Sequence, residues 1–289
     1  MSGLCLLIAS GNIKNIVFMK CHICQNKTSV IFQTKILKKY DVSYHQCSSC
    51  RFIQTDDAFW LSEAYENIIT SLDIGLINRN LYLQEQIPTI INTCFPEAKS
   101  MLDYGGGYGM FVRMMRDKGY DFYRQDIYCD NLFSKHFDIT DFQDKKIDIV
   151  TAFEVFEHLD NPLVEIEKMF KYSENVVFST TLIPDDINLF KEWWYVAPET
   201  GQHISFYSEE SLKFIAKKYN LYFYTNHSNL HFFSKGILNQ QQVNDMFFKK
   251  ISLKEKIYNR LLGNLKSKPL EKKSLLQSDY DFILKNISK

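Results

Sequence analysis

The sequence predicts an α/β fold: a parallel, doubly wound sheet that carries a ligand at its strand ends, preceded by a small metal-binding ribbon. Three observations predict it. Residues 100–127 read as strand, glycine turn, helix and strand; strand and helix alternation continues to residue 234; and two cysteine pairs stand near the start. Strands separated by helical stretches are the mark of parallel sheets, whose crossover connections need a helix.

Residues 1–18 form a short apolar start with no positive n-region, a poor secretion signal. They are expected to be a disordered extension, because Met19 opens "MKCHICQNKT" like a natural start. Residues 19–58 hold "CHIC" and "CSSC", spaced C-x2-C-x22-C-x2-C: Cys21, Cys24, Cys47 and Cys50. Two thiolates three residues apart take one edge of a tetrahedral ion, and two such pairs close a four-sulfur site suited to structural Zn2+. The β-branched and aromatic residues between the pairs predict the strands of a zinc ribbon. His22 is an alternative ligand, but four sulfurs already fill the tetrahedron. Cys5, Cys94 and Cys129 are expected to be packing residues, and seven cysteines without an export signal point to reduced thiols and a cytoplasmic home. Residues 59–98 read as a helical linker, with Tyr65, Asp73, Asn78 and Arg79 as candidate lid residues.

Residues 99–235 carry the main domain. Met101–Tyr104 is a strand, Tyr108–Lys118 a helix ended by Gly119, and Phe122–Ile127 the next strand, closing on Asp126. The turn between them is "DYGGGYG". It fits neither G-x-G-x-x-G, since Met110 stands at the third glycine, nor a P-loop, since no G-K-[ST] follows. It fits D-x-G-x-G-x-G with Asp103, Gly105, Gly107 and Gly109. A carboxylate facing bare backbone suits a cationic amino group, and Asp126 at the second strand end suits both ribose hydroxyls. Together these describe S-adenosylmethionine.

On these residues the chain resembles the class I S-adenosylmethionine-dependent methyltransferases, over roughly residues 80–235. The resemblance implies a Rossmann-like, seven-stranded methyltransferase sheet. "IDIVTAF" then matches the fourth strand (147–153), Pro162–Phe170 its helix, and "NVVFST" the fifth strand. Ser208 N-caps the following helix, with Glu209 and Glu210 in its first turn, and 221–225 with 230–234 match the final antiparallel pair. The resemblance also implies that Ile127, Phe153 and Glu154 line the cofactor site, that Asp138 or Asp141 approaches the adenine, and that Glu157 is a solvated helix-end charge.

Methyl transfer needs an oriented acceptor and a group for its proton. Residues 178–212 supply Trp193, Trp194, Tyr195, Gln202, His203 and Tyr207, aromatic walls with a few polar groups. This stretch and the cysteine pairs resemble the zinc-ribbon methyltransferases of deoxysugar and glycan biosynthesis. In that branch a histidine preceded by a glutamate is the proposed base. His203 matches it, but Gln202 stands where the glutamate would, so a C-methylation dyad is incomplete. The catalytic candidates are His203, with an ordinary imidazole pKa for a base near neutrality, Tyr195, and His158 of "FEHL".

Charge separates the alternatives. The chain is neutral, with 34 basic and 34 acidic side chains, but residues 236–289 hold 11 Lys/Arg against 5 Asp/Glu. This basic tail reads as packed helices with a lysine-rich solvated face, or as a peripheral membrane contact. No apolar run is long enough to span a bilayer. Methylation of a sugar nucleotide or glycan residue, on carbon or oxygen, is the leading expectation. An RNA methyltransferase would carry a basic stripe, and the acidic body lacks one. A catalytically inactive methyltransferase fold used for binding would carry a damaged cofactor turn, and this one is intact.

Overall fold

The computed structural model describes residues 19–66, 72–142, 146–248, 272–275, 277–279 and 281–282. The expected extension at 1–18, Cys5 and most of the basic tail lie outside these residues. The strands are β1 (Thr28–Ile36), β2 (Tyr40–Cys47), β3 (Ile53–Thr55), β4 (Ser100–Tyr104), β5 (Asp121–Gln125), β6 (Ile149–Phe153), β7 (Val176–Ser179), β8 (Ser205–Phe206), β9 (Tyr222–Thr225) and β10 (Leu230–Ser234). The helices are α1 (Leu61–Ala64), α2 (Leu76–Cys94), α3 (Met110–Asp117), α4 (Pro162–Tyr172), α5 (Glu209–Lys218) and α6 (Gln240–Phe248).

The main sheet runs β5-β4-β6-β7-β10-β9. β5, β4, β6 and β7 are parallel, and β10 is antiparallel to both β7 and β9. Its middle strands are buried on both faces, as their unbroken apolar runs require. Met101, Ile149, Val177 and Phe232 face α2, α3 and α6, while Leu102, Val150, Ala152 and Phe178 face α4 and α5. The described sheet has six strands, not the expected seven. Beyond β5, "HFDI" at 136–139 makes one parallel bridge, Asp138 to Arg124. It then turns at once into a 3-10 turn over Ile139–Asp141, held by a capping box in which Asp138 and Asp141 each accept from the other's end of the turn. Two carboxylates spent on a cap leave no residues to extend a ladder.

The second sheet is β1-β2-β3-β8. Its first three strands are the ribbon, and its fourth comes from the far side of the main domain: Ile53 pairs with Phe206 and Gln54 with Ser205. Tyr44, Ile53 and Trp60 share one apolar cluster with Phe190, Tyr195, Val196 and Phe206. The ribbon and the segment after β7 are thus one packed layer. Ser208 fastens it: its hydroxyl donates to the Cys50 carbonyl at 2.7 Å and accepts from the Ser211 amide at 3.1 Å, N-capping α5. Among the described tail residues, Val243, Met246 and Phe247 of α6 pack into the core, and Asp279 forms a buried two-pronged ion pair with Arg116 at 2.8 Å. No helix among the described residues is long and apolar enough to cross a membrane.

Candidate active site

The carboxyl ends of β4, β5 and β6 open into a cleft of about 1440 Å³. A single ligand pocket is roughly 300–1,000 Å³, so the cleft has room for a cofactor and an acceptor together. A smaller hollow of about 530 Å³, near Cys94, Lys146 and Asn175, lies away from these strand ends and gathers none of the predicted site residues.

The glycine turn forms one wall. Gly105, Gly107 and Gly109 all have positive φ, at 69°, 53° and 83°, a region that strains other residues. A Cβ on Gly105 would meet Val155 at 2.8 Å, and one on Gly109 would collide with the Ser134 hydroxyl. At Gly107 the space is open, and its amide donates to Asp126 Oδ2 at 2.9 Å. The other oxygen of Asp126 accepts from the Tyr128 and Cys129 amides at 2.8 Å. The Asp126 carboxylate is therefore aimed by backbone, not by rotamer preference. Ile127 and Tyr128 beside it are exposed into the cleft.

Asp103 ends β4 beneath the turn, almost fully buried, and accepts from the Thr151 hydroxyl at 2.6 Å. Burial, reinforced by Asp126, pushes its pKa up to about 7. Glu154 follows β6 with φ of 52°, strained for a side chain. A reciprocal pair holds it there: its amide donates to Ser179 Oγ, and that hydroxyl donates back to Glu154 Oε1. Burial and the nearby Glu157 charge raise Glu154 to about 7 as well. Arg79 spans Asp73 at 2.7 Å and Glu154 at 3.6 Å, so residues 72–79 pack against the Glu154 side of the cleft.

The opposite side of the cleft is built by the segment between β7 and β8. His203 Nδ1 lies 2.6 Å from the Tyr195 carbonyl, and His158 Nδ1 lies 3.0 Å from the Gln202 carbonyl. A carbonyl only accepts, so Nδ1 carries the proton on both rings and Nε2 keeps its lone pair. The rings stand 4.9 Å apart at 75°. Burial lowers His158 to about 4, and burial with the His158 neighbour lowers His203 to about 3. Both are neutral near neutrality. This corrects the ordinary pKa expected for His203: it can accept a hydrogen bond but stores no proton at pH 7.

Gln202, standing at the glutamate position, donates to the Ala64 carbonyl at 2.9 Å and so ties the loop before β8 to α1. Trp194 offers a largely exposed ring to the cleft, whereas Trp193 packs into the ribbon layer. Tyr195 is buried at the cleft wall, its hydroxyl 3.4 Å from Thr180 Oγ1.

Two expectations fail. Asp138 and Asp141 do not line the cleft, being committed to their cap and to Arg124. Glu157 is not solvated but fully buried beneath the two histidines. The sequence reading also passed over Thr151 and Ser179. Polar residues within otherwise apolar strands were the signal that could have found them.

In the ribbon, Cys21 Sγ lies 3.5 Å from Cys50 Sγ, and Cys24 Sγ 3.3 Å from Cys47 Sγ. One ligand atom from each of the four lies within 4.8 Å of the others. Backbone amides of Ile23 and Ser49 point at the Cys21 and Cys47 sulfurs at 3.4 Å. Such amides stabilise thiolates, so the donor set fits a tetrahedral ion.

A family model described as "Methyltransferase domain" matches residues 79–226, just over half of the chain. No curated protein matches. Among solved structures, the plantazolicin methyltransferase BpumL with a monoazolic desmethylPZN analog and SAH is 14% identical, with a TM-score of 0.41, over 70% of this chain and 87% of that one. An O-methyltransferase family protein from Burkholderia thailandensis is 11% identical, TM-score 0.41, with 66% of each chain covered. The SAH-bound magnesium protoporphyrin IX methyltransferase from Synechocystis PCC 6803 is 12% identical, TM-score 0.37, over 61% of this chain and 95% of that one.

Proposed function

Since the chain belongs to the methyltransferase domain family and is an S-adenosylmethionine-dependent enzyme, we propose that it methylates a sugar or glycan residue. The observation that carries this reading is one cleft with two unlike ends. Asp126, aimed by Gly107, marks the cofactor end; Trp194, His158 and His203 mark the acceptor end. The cofactor supplies an electrophilic methyl group on a sulfonium sulfur.

The side chains divide the remaining work. Asp126 is placed to take two ribose hydroxyls, with Ile127 and Phe153 as apolar walls. Asp103 and Glu154 offer carboxyl groups to a cationic amino group. The exposed Trp194 ring suits the apolar face of a sugar. His203 Nε2 accepts the hydrogen bond of an acceptor hydroxyl and so orients its oxygen, with His158 beside it and Tyr195 holding the loop. Four cysteine thiolates hold a structural zinc that keeps the acceptor layer in place.

The cleft lining holds Asp73, Asp103, Asp126, Glu154, Asp160, Glu165 and Glu199 against Arg79 and Lys168. That balance repels a nucleic-acid backbone, which binds through Lys and Arg contacts to phosphate. It also favours a neutral glycan residue over a sugar nucleotide whose diphosphate enters the cleft.

The test has two parts. Calorimetric titration of S-adenosylhomocysteine into the full chain is expected to show binding that Asp126→Ala weakens by about 1–3 kcal/mol, the cost of unpaired buried polar groups. Transfer of labelled methyl is then compared across glycans, sugar nucleotides and RNA. Labelling of RNA alone would overturn the acceptor assignment.

A further inference from the structure

We propose that Glu157, His158 and His203 form a site for one divalent transition-metal cation at the floor of the cleft, distinct from the four cysteines. Glu157 has no exposed surface, and neither of its carboxylate oxygens has a hydrogen-bond partner among the described residues. Burial pushes its pKa up to about 7; its own amide and the nearby hydroxyls of Tyr195 and Thr180 favour the charged form, but none of them closes a hydrogen bond on it. Buried carboxylates are otherwise hydrogen-bonded, ion-paired or bound to metal.

The neighbours of Glu157 supply the other ligands. One ligand atom each from Glu157, His158 and His203 lies within 4.8 Å of the other two. Both imidazoles commit Nδ1 to a backbone carbonyl, of Gln202 and of Tyr195. That is how metal-ligating histidines are held: the outer N–H fixes tautomer and ring plane, and the inner nitrogen coordinates. What remains on the three side chains is two imidazole lone pairs and a carboxylate. With Glu157 ionised all are acceptors, and a cation resolves that arrangement.

The donor set names the class of ion. Two imidazoles and one carboxylate suit Mn2+, Fe2+ or Zn2+, whereas Mg2+ and Ca2+ favour oxygen throughout. His158 and His203 line the cleft, so the cation is reached from it, and three protein ligands leave positions for acceptor oxygens; with the cation bound, His203 Nε2 orients the acceptor hydroxyl through the metal instead of by a direct hydrogen bond. A coordinated hydroxyl is more acidic than a free one, which favours O-methylation, with adjacent sugar hydroxyls as the natural chelating pair. This role rests on the methyltransferase reading; cation binding does not.

The probe is Mn2+, which leaves thiolates to zinc. Zinc-loaded full-length protein is titrated with Mn2+, and the free ion is read by electron paramagnetic resonance. One Mn2+ per chain is expected. Glu157→Gln and His203→Gln are expected to weaken it by more than the roughly 10- to 100-fold that loss of an outer-shell partner costs. S-adenosylhomocysteine binding by the same variants shows that they are folded. Should Glu157→Gln fail to fold, His203→Gln decides. A folded wild type that binds no Mn2+, or variants that bind it unchanged, overturns the proposal. Mn2+ binding without S-adenosylhomocysteine binding by the wild type supports the metal site and overturns the methyltransferase assignment.

Discussion

At the scale of single residues, Asp103 makes the sharpest prediction. Its pKa is raised from 3.8 to about 7 by burial. A ligand with a cationic amino group favours the ionised form, so binding must expel a proton below pH 7. Affinity for S-adenosylhomocysteine is therefore expected to rise with pH up to about 7 and to level off above it. Calorimetry at pH 6 in two buffers of different ionisation enthalpy would register the released proton; no release would exclude Asp103 and Glu154 as the amino-group partners. Asp103, Asp126 and the glycines were legible because spacing alone places them at strand ends. Glu157 was not. It follows a strand in a run that reads equally as solvated, and only the fold brings His203, distant in sequence, above it. The lowered His203 pKa escaped for the same reason, since burial is a property of the assembled layer.

At the scale of elements, strand and helix order was legible from apolar runs, and Ser208 from its place before two glutamates. Ser208→Ala is expected to cost about 0.5–2 kcal/mol in denaturant unfolding through loss of the cap, and more if the bond to the Cys50 carbonyl adds to it. Loss of less than this would mean that the cap is dispensable. The pairing of β3 with β8 was invisible, because two residues of strand carry no periodicity. Seven strands were one more than the described sheet has, and the acidic cap at Asp138 and Asp141 competes with pairing there.

His231 on β10 gives the sheet a pH signature. Its Nε2–H donates to the Thr180 carbonyl at 3.0 Å and Nδ1 accepts from Thr225 Oγ1 at 2.7 Å, while burial lowers its pKa from 6.5 to about 4. Between those values the unfolded chain binds a proton there that the folded chain does not. Stability from this group therefore rises with pH from about 4 to 6.5 and is flat above. His231→Gln is expected to remove about 1.4 kcal/mol per pH unit from that slope, measured by urea midpoints across the window.

At the scale of the whole molecule, the ribbon and residues 183–206 share one apolar cluster while the glycine turn belongs to the main sheet. Disrupting the cysteine site should therefore uncouple the two ends of the cleft. Cys47→Ser is expected to lower the metal content and to raise amide exchange in β1–β3 and in residues 187–206. Binding of S-adenosylhomocysteine should remain within a few-fold of wild type. Equal exchange in both layers, or loss of both, would show one cooperative unit. The ribbon was read from the sequence as a separate domain at 19–58, and that boundary missed the coupling because cysteine spacing reports a metal, not a neighbour.

The sheet β1-β2-β3-β8 also orders events on the ribosome. Thr55 leaves the exit tunnel roughly 150 residues before Ile204–Phe206, the residues that cover its strand. For that interval the nascent ribbon presents an open edge at Ile53–Thr55, the kind of template that recruits other chains. Emergence of Phe206 from the tunnel allows the edge to be sealed, and the same step brings His203 into the layer, so a chain stalled before that point is expected to be adhesive.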